Sequence, residues 1–456
     1  MTKTNEILSQ TNEKVEEILK DTIEKFVLEN QKRNLNINNA EEIIGETIKK
    51  LIGTVLQMTG KVLSDVSDKD ELTCDCCKRE LRINKKAVPI SIMTLYGKAT
   101  IIRDELHCRA CGVGRGVNDK ILEIDKEHRI TKGFSELVTY TGQLIASFEE
   151  GAETMKKFLG FMDVETSASQ IRMITEENGR KVFENEMSEA EKIYAEPEKY
   201  VPDLLEKDKK TGITYTLMDG SQVNTRNKDK SGSSWKEMKL VEGFCDKDII
   251  KRKNGDSIVV KKEYGTFFGS VDSFKKEVLK IAVEIGYGNY KKHVVLGDGA
   301  AWIWNMSKEF FPDAVEILDF YHVIENVYEY AKVLYPKDEI NRARWASIVL
   351  DMLENGKEDV AIQYVNRYKP DEIPKGIVNL PEYLENNRMR IKYKDFKDSG
   401  YYIGSGAIES GNKTVIQQRM KQAGMRWNVK SGQYIAALRA KYKSNRWRDV
   451  VDLIGA

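Results

Sequence analysis

Five of the six cysteines fall between Cys74 and Cys111, as Cys74, Cys76 and Cys77 in one cluster and Cys108 and Cys111 in another; Cys245 stands apart. Two Cys-x-x-Cys pairs about thirty residues apart, flanking the strand-like runs AVPISIMTLYG and KATIIRDELHC, suit two knuckles that present four thiolates tetrahedrally to Zn2+. A segment tied in this way has little choice but to fold as a small ribbon around the ion. Disulfides are the competing explanation, but an intracellular compartment keeps thiols reduced. That compartment is expected, because the opening MTKTNEILSQTNEKVEEILK lacks a secretory apolar segment and no apolar run nears the roughly 20 residues that cross a bilayer. The expected zinc ligands are Cys74, Cys77, Cys108 and Cys111, with Cys74 and Cys76 left open as an alternative first pair. His107 adjoins a knuckle, but four cysteines already fill the site, so it reads as a bystander.

The 456 residues allow two to four domains, and 41% hydrophobic residues with only eight prolines exclude a mainly disordered or collagen-like chain. Residues 1–70 read as two helices. In the second, Ile44, Ile48, Leu51, Val55, Met58 and Val62 recur at alternating steps of four and three, a narrow seam that packs against another helix. The first carries Leu8, Val15, Leu19 and Phe26 on one side, so the pair is either a hairpin closed on itself or a dimerisation arm. Residues 71–130 form the ribbon. Residues 131–200 turn helical again, and the stretch from Glu149 through Gly160 to the helix opening near Thr166 suits a helix-turn-helix that reads DNA or an ordinary helical hairpin.

From residue 213 the pattern changes to strands. GITYTLMDGSQVN alternates Ile213, Tyr215 and Leu217 before Asp219, and KEMKLVEGFC and YGTFFGSV follow as neighbours. A helix from Ser273 to Ile285 leads into HVVLGDGA, whose unbroken Val294, Val295 and Leu296 suit a strand buried on both faces. A further helix precedes AVEILDFYHV. Three strands, helix, strand, helix, strand, helix is the order of an α/β ribonuclease H-like mixed sheet. Its first part is expected over 201–335, a helical insertion over 336–403, and a last core helix with a basic segment over 404–456.

On that order Asp219, Asp298 and Glu409 each sit where a strand ends or a helix begins. Three converging carboxylates repel one another unless a cation neutralises them, and hard oxygen donors without thiolate or histidine favour Mg2+ or Mn2+. Two such ions could run an in-line phosphoryl displacement. Taken singly, each acid has an ordinary explanation in turn chemistry or the helix dipole. Asp319 and His322 form a tighter unit across a strand-to-helix junction, read from the residues alone as a helix cap and a packed imidazole.

Net charge is only +1, but its distribution is uneven. From Gly411 to Arg448 there is no Asp or Glu, whereas Lys413, Arg419, Lys421, Arg426, Lys430 and Arg439 all fall there, interleaved with Trp427, Tyr434, Tyr442 and Trp447. Such a segment is expected to grip the phosphates of DNA.

The blocks LGDGAAWIWN, EILDFYHV, GSGAIESGNKTVIQQRMKQAGMRW and ALRA resemble the insertion-sequence transposases of the Kra group (ISKra-type), a DDE family related to the Mutator-like transposases. The similarity runs over residues 70–450. It implies a ribonuclease H-like core interrupted by a helical insertion, with DNA cut at terminal inverted repeats and joined to a target without ATP. Residue by residue, Asp219 in LMDGS, Asp298 in LGDGA and Glu409 in GSGAIES take the DDE positions and the Mg2+. Asp319 and His322 take the place of an Asp-x-x-His signature with a role in strand handling. The resemblance also implies a homo-oligomer, no membrane, and a cytoplasmic, nucleoid-associated protein. A catalytically silent, domesticated DNA-binding descendant and a ribonuclease H-type nuclease without strand transfer are the alternatives.

Overall fold

The computed structural model describes every residue except 1–2, 66–71, 124–127, 163, 229–231, 252, 254–256, 405 and 455–456. The chain divides into two units, Met1–Thr175 with Ile454–Ala456, and Glu176–Leu453.

In the first unit the two expected helices are present as α1 (Lys3–Gln31) and α2 (Ile37–Ser64), the latter capped by the Asn36 side chain, which accepts from the Asn39 N–H. They meet through a Thr22–Thr47 hydroxyl bond of 2.8 Å and a Lys25–Glu46 ion pair of 2.6 Å. Much of the apolar seam lies outside this contact, because Leu8, Leu19, Ile44, Ile48 and Val55 stay exposed. The ribbon follows as β1 (Arg82–Thr94), β2 (Gly97–His107) and β3 (Gly114–Gly116), antiparallel throughout. Helix α2 lies so close to β2 that a Cβ on Gly60 would sit 2.1 Å from the Thr100 carbonyl oxygen, so only glycine fits there. Helices α3 (Lys132–Leu144), α4 (Phe148–Leu159) and the start of α5 (Ala168–Ala195) close on a core of Phe134, Val138, Met155, Val164 and Ile171.

The second unit is built on a mixed sheet. Strands β4 (Lys210–Asn224), β5 (Trp235–Cys245) and β8 (Glu263–Phe267) run antiparallel, and between the last two lies a small hairpin of β6 (Ile249–Lys251) and β7 (Ser257–Val259). After α6 (Val271–Glu284), strand β9 (Tyr290–Gly297) joins β4 in parallel, and after α7 (Ala301–Phe310) β10 (Val315–Leu318) joins β9 in parallel. The sheet order is β10-β9-β4-β5-β8. Val294, Val295 and Leu296 are fully buried, as a central parallel strand requires.

One expectation is corrected here: Asp219 does not end its strand. β4 continues to Asn224 because β5 stays paired with it as far as Asn224 and Trp235, so Asp219 lies inside the hairpin opposite Leu240.

Helix α8 (Phe320–Leu334) leads into α9 (Glu339–Glu354), α10 (Glu358–Arg367), α11 (Leu380–Asn386) and α12 (Tyr393–Asp398). The chain returns through α13 (Gly406–Gly411), a π-helical stretch over Asn412–Gln417 and α14 (Gln418–Met420), then ends in α15 (Val429–Lys443) and α16 (Trp447–Ile454). Gln433 clamps α15 to the sheet edge, accepting from Phe268 N–H at 2.5 Å and donating to Thr266 O at 3.0 Å. Among the described residues no helix is long and apolar enough to cross a membrane.

Candidate active site and metal centre

The parallel registers decide what meets at the strand ends. Leu217 pairs with Leu296, and Leu318 with Gly297. Carried two residues on from the first pair and one from the second, these registers bring Asp219, inside β4, towards Asp298 and Asp319, which lie just past the ends of β9 and β10, and the charges of Asp298 and Asp319 act on the Asp219 carboxyl. The Asp319 N–H donates to Gly297 O at 2.8 Å and fixes that step. Asp298 opens a turn, its Oδ1 accepting from Ala300 N–H at 2.9 Å. Gly299 completes it at φ +105°, where a Cβ would press on the Tyr383 ring, and the Tyr383 hydroxyl donates to Asp298 O at 2.7 Å.

Asp219 is the most constrained of the three. Its Oδ1 accepts from Gly220 N–H at 2.6 Å and its Oδ2 accepts from the Asn412 amide. Burial pushes its carboxyl up to about 6; the Gly220 N–H and His322 oppose that, and the charges of Asp298 and Asp319 add to it. Asp319 is buried and does two jobs. It caps α8, Oδ1 accepting from Tyr321 N–H at 2.9 Å, and its Oδ2 lies 2.5 Å from His322 Nδ1. Burial works against charge on His322, but the Asp319 hydrogen bond and the Asp319, Asp219 and Asp298 charges raise it to about 9. The cap foreseen from the residues alone is therefore present, and the imidazole faces the acids.

Glu409 sits in the opening of α13, and Ser405 of its motif lies outside the described residues. Its side chain is exposed, and burial together with the charges of Glu325 and Asp319 raises its carboxyl, against His322 and Lys413. Asp219, Asp298 and Glu409 do not form a set whose oxygens all approach within 4.8 Å; among the described residues only the four cysteines do so.

The donor chemistry around Asp219 nonetheless suits a hard divalent cation. It offers carboxylate oxygens, a buried aspartate whose charge form is penalised by its like-charged neighbours, and a buried Asn412 carbonyl oxygen without a hydrogen-bond partner. The folded protein holds the Asp219 proton more tightly than the unfolded chain does. In the metal-free protein Asp219 by itself is therefore expected to withdraw about 2 to 3 kcal/mol of stability as pH rises from below 4 through 6. His322 has the same sign in a higher window, its contribution being complete below about 6.5 and lost as pH rises through 9. Urea unfolding across pH checks this: Asp219→Asn should make the lower decline shallower, the buried Glu242 and Glu277 still contributing there, and should move the upper decline to lower pH because the Asp219 charge helps hold the His322 proton.

The cysteine site is more compact. Cys74, Cys77, Cys108 and Cys111 gather their Sγ atoms within 4.8 Å of one another, with Cys74 to Cys111 at 3.3 Å and Cys77 to Cys108 at 3.4 Å. Tetrahedral Zn–S bonds of about 2.3 Å separate sulfurs by roughly 3.8 Å, so the cage has the right size. Both knuckles fold alike. Cys74 N–H donates to Arg79 O and Lys78 N–H to Cys74 O; Cys108 N–H donates to Val113 O and Gly112 N–H to Cys108 O. Each turns at a left-handed residue just after its second cysteine, Lys78 at φ +58° and Gly112 at φ +74°. Backbone N–H bonds from Cys111 and Ala110 pull the Cys108 thiol down to about 6, the direction that favours a metal-binding thiolate. Cys76 is exposed and outside the cage, which decides the first pair in favour of Cys77.

The basic segment divides in two. Lys413, Lys421, Arg426 and Lys430 are exposed. Arg419 and Arg439 are not available to phosphates, a correction to the expectation for both. Each is 1% exposed. Arg419 stacks on the Trp427 ring at 5.1 Å, and Arg439 donates to the carbonyls of Val415, at 2.6 Å, and Thr414. The acid-free run did not reveal this, because burial depends on what α15 packs against. Arg439→Met is expected to cost about 3 kcal/mol in unfolding free energy by taking this donor away from the Val415 and Thr414 carbonyls. Lys421→Ala should leave stability within about 0.5 kcal/mol of the parent, which thermal denaturation of the two variants checks.

Residues 30–451 match the model of the Uncharacterised protein family (UPF0236). No curated protein matches the chain in sequence. Among solved structures, the Drosophila P element transposase strand transfer complex is similar at 12% identity and a TM-score of 0.22, over 73% of this chain and 86% of that one.

Proposed function

The chain belongs to the UPF0236 family, and we propose that it is a DNA transposase that cuts phosphodiesters at the terminal inverted repeats of a mobile element and joins the freed ends to target DNA. The observation that carries this reading is the gathering of Asp219 on β4 with Asp298 and Asp319 just past the ends of β9 and β10, with His322 and Glu409 in electrostatic reach of them. The sheet supports it as well: three antiparallel strands followed by two that extend the first in parallel read as a ribonuclease H-like core. The sequence resemblance to DDE transposases selects the same residues.

Asp219 and Asp298 would hold a divalent cation, with Glu409 reaching in from α13. A cation bound there supplies Lewis-acid stabilisation of the phosphodiester and activates the attacking oxygen. Asp319 orients the His322 ring and stabilises its charge, so that an imidazolium faces the site where a phosphate would lie. Lys421 is exposed within electrostatic reach of Asp219, so cationic contacts and acids share one face. Water cleaves the phosphodiester at the element end, and the liberated 3'-hydroxyl attacks target DNA. One phosphodiester replaces another, so no nucleotide triphosphate is required.

The test uses the purified full chain, Mg2+, a duplex carrying whatever short inverted repeats sequencing finds on either side of its reading frame, and a supercoiled plasmid. The expected result is metal-dependent cutting at the repeat ends and joining of those ends to the plasmid. Preferential cleavage of RNA–DNA hybrids without joining would favour a nuclease, and binding to the repeats with no cutting in Mg2+ or Mn2+ would favour a silent DNA-binding protein.

A further inference from the structure

Asn412 lies three residues after Glu409, at the first position of the π-helical stretch, and is 3% exposed. Its amide donates to Asp219 Oδ2, while its carbonyl oxygen, on the same planar group, is buried without a hydrogen-bond partner. A buried amide oxygen left unpaired is destabilising unless something else takes it up, and π-bulges inside helices concentrate at functional sites.

The surroundings hold this residue in place. Gly411 lies against β5, where a Cβ would come within 2.8 Å of Glu242 Oε2 and 2.9 Å of the Tyr264 ring. Beneath α13, Lys262 pairs with the fully buried Glu242 at 3.0 Å and donates to Ala407 O at 3.1 Å. The absence of a side chain at Gly411 lets the segment close on the sheet, and the Lys262 bridge anchors its first turn. Together they aim Asn412 at Asp219.

We propose that Asn412 is a positioning residue of the metal site, its amide N–H fixing the Asp219 carboxylate and its carbonyl oxygen adding a neutral donor towards the cation. This rests on the metal-dependent reading above. A neutral oxygen there lowers the repulsion that a further carboxylate would add to the acids, and ties the strand-borne acid to the helix that carries Glu409.

The test measures Mn2+ binding to the zinc-loaded full chain without DNA, from the electron paramagnetic resonance signal of free Mn2+. Asn412→Leu is expected to weaken binding about tenfold or more, the range that loss of an orienting partner gives. Asn412→Asp, which keeps an oxygen on the same stem but loses the N–H that fixes Asp219, is expected to weaken Mn2+ binding, though less than Asn412→Leu does. A Leu variant that binds like the parent overturns the proposal, and so does an Asp variant with unchanged affinity, whether or not the Leu variant folds. If Asp219→Asn and Asp298→Asn also leave Mn2+ binding unchanged, the metal-dependent reading falls and takes this one with it. If they abolish binding while both Asn412 variants are silent, only this one falls.

Discussion

Asp298→Asn is expected to reduce cleavage of repeat-ended DNA by about three orders of magnitude while binding to those ends remains measurable. The amide keeps the turn, since its oxygen can still accept from Ala300 N–H. What it removes is a negative charge beside Asp219. Lewis-acid stabilisation of a phosphoryl oxygen is worth several kcal/mol, and at about 1.4 kcal/mol per decade a loss of about 4 kcal/mol gives that factor. Single-turnover cleavage with saturating protein separates the chemical step from binding, and unchanged cleavage would remove Asp298 from the role.

Cys111→Ser is expected to empty the cysteine cage and unfold the ribbon around it. Few buried apolar residues support these knuckles, Leu81 and Leu106 among them, so an ion held by the four thiolates would supply much of the local folding free energy. Structural Zn2+ in small domains contributes on the order of 10 kcal/mol. Metal analysis of the purified protein should give one Zn2+ per chain for the parent and for Cys76→Ser, and none for Cys111→Ser. Near-equal loss from the two variants would put Cys76 into the cage.

Legibility from the sequence varied with how local the cause was. The knuckles are set by spacing over a few residues, and Gly112 marks its own left-handed turn, but Lys78 occupies the matching position with no glycine to announce it. Val294 to Leu296 showed themselves as a central strand through an unbroken apolar run. The extent of β4 did not, because the pairing of Asn224 with Trp235 is a property of the partner strand. The candidate site was half visible. Asp219 and Asp298 stand out beside glycines, whereas Asp319 joins them only through the register of β10 on β9. Asn412 was missed because an asparagine after a helical glycine carries no signal without the strand it touches; its place one turn beyond Glu409 was the one available hint. Arg419 and Arg439 misled for the opposite reason, since a charge counted along the chain says nothing about whether its side chain faces water.

Anomalous diffraction from crystals of the full chain grown in Mn2+ tests the central claim most directly. The account predicts a Mn2+ peak bonded to carboxylate oxygens of both Asp219 and Asp298, at about 2.2 Å, the distance hard divalent cations keep from oxygen ligands. Mn2+ bound elsewhere, with those two carboxylates turned away from each other, would contradict it.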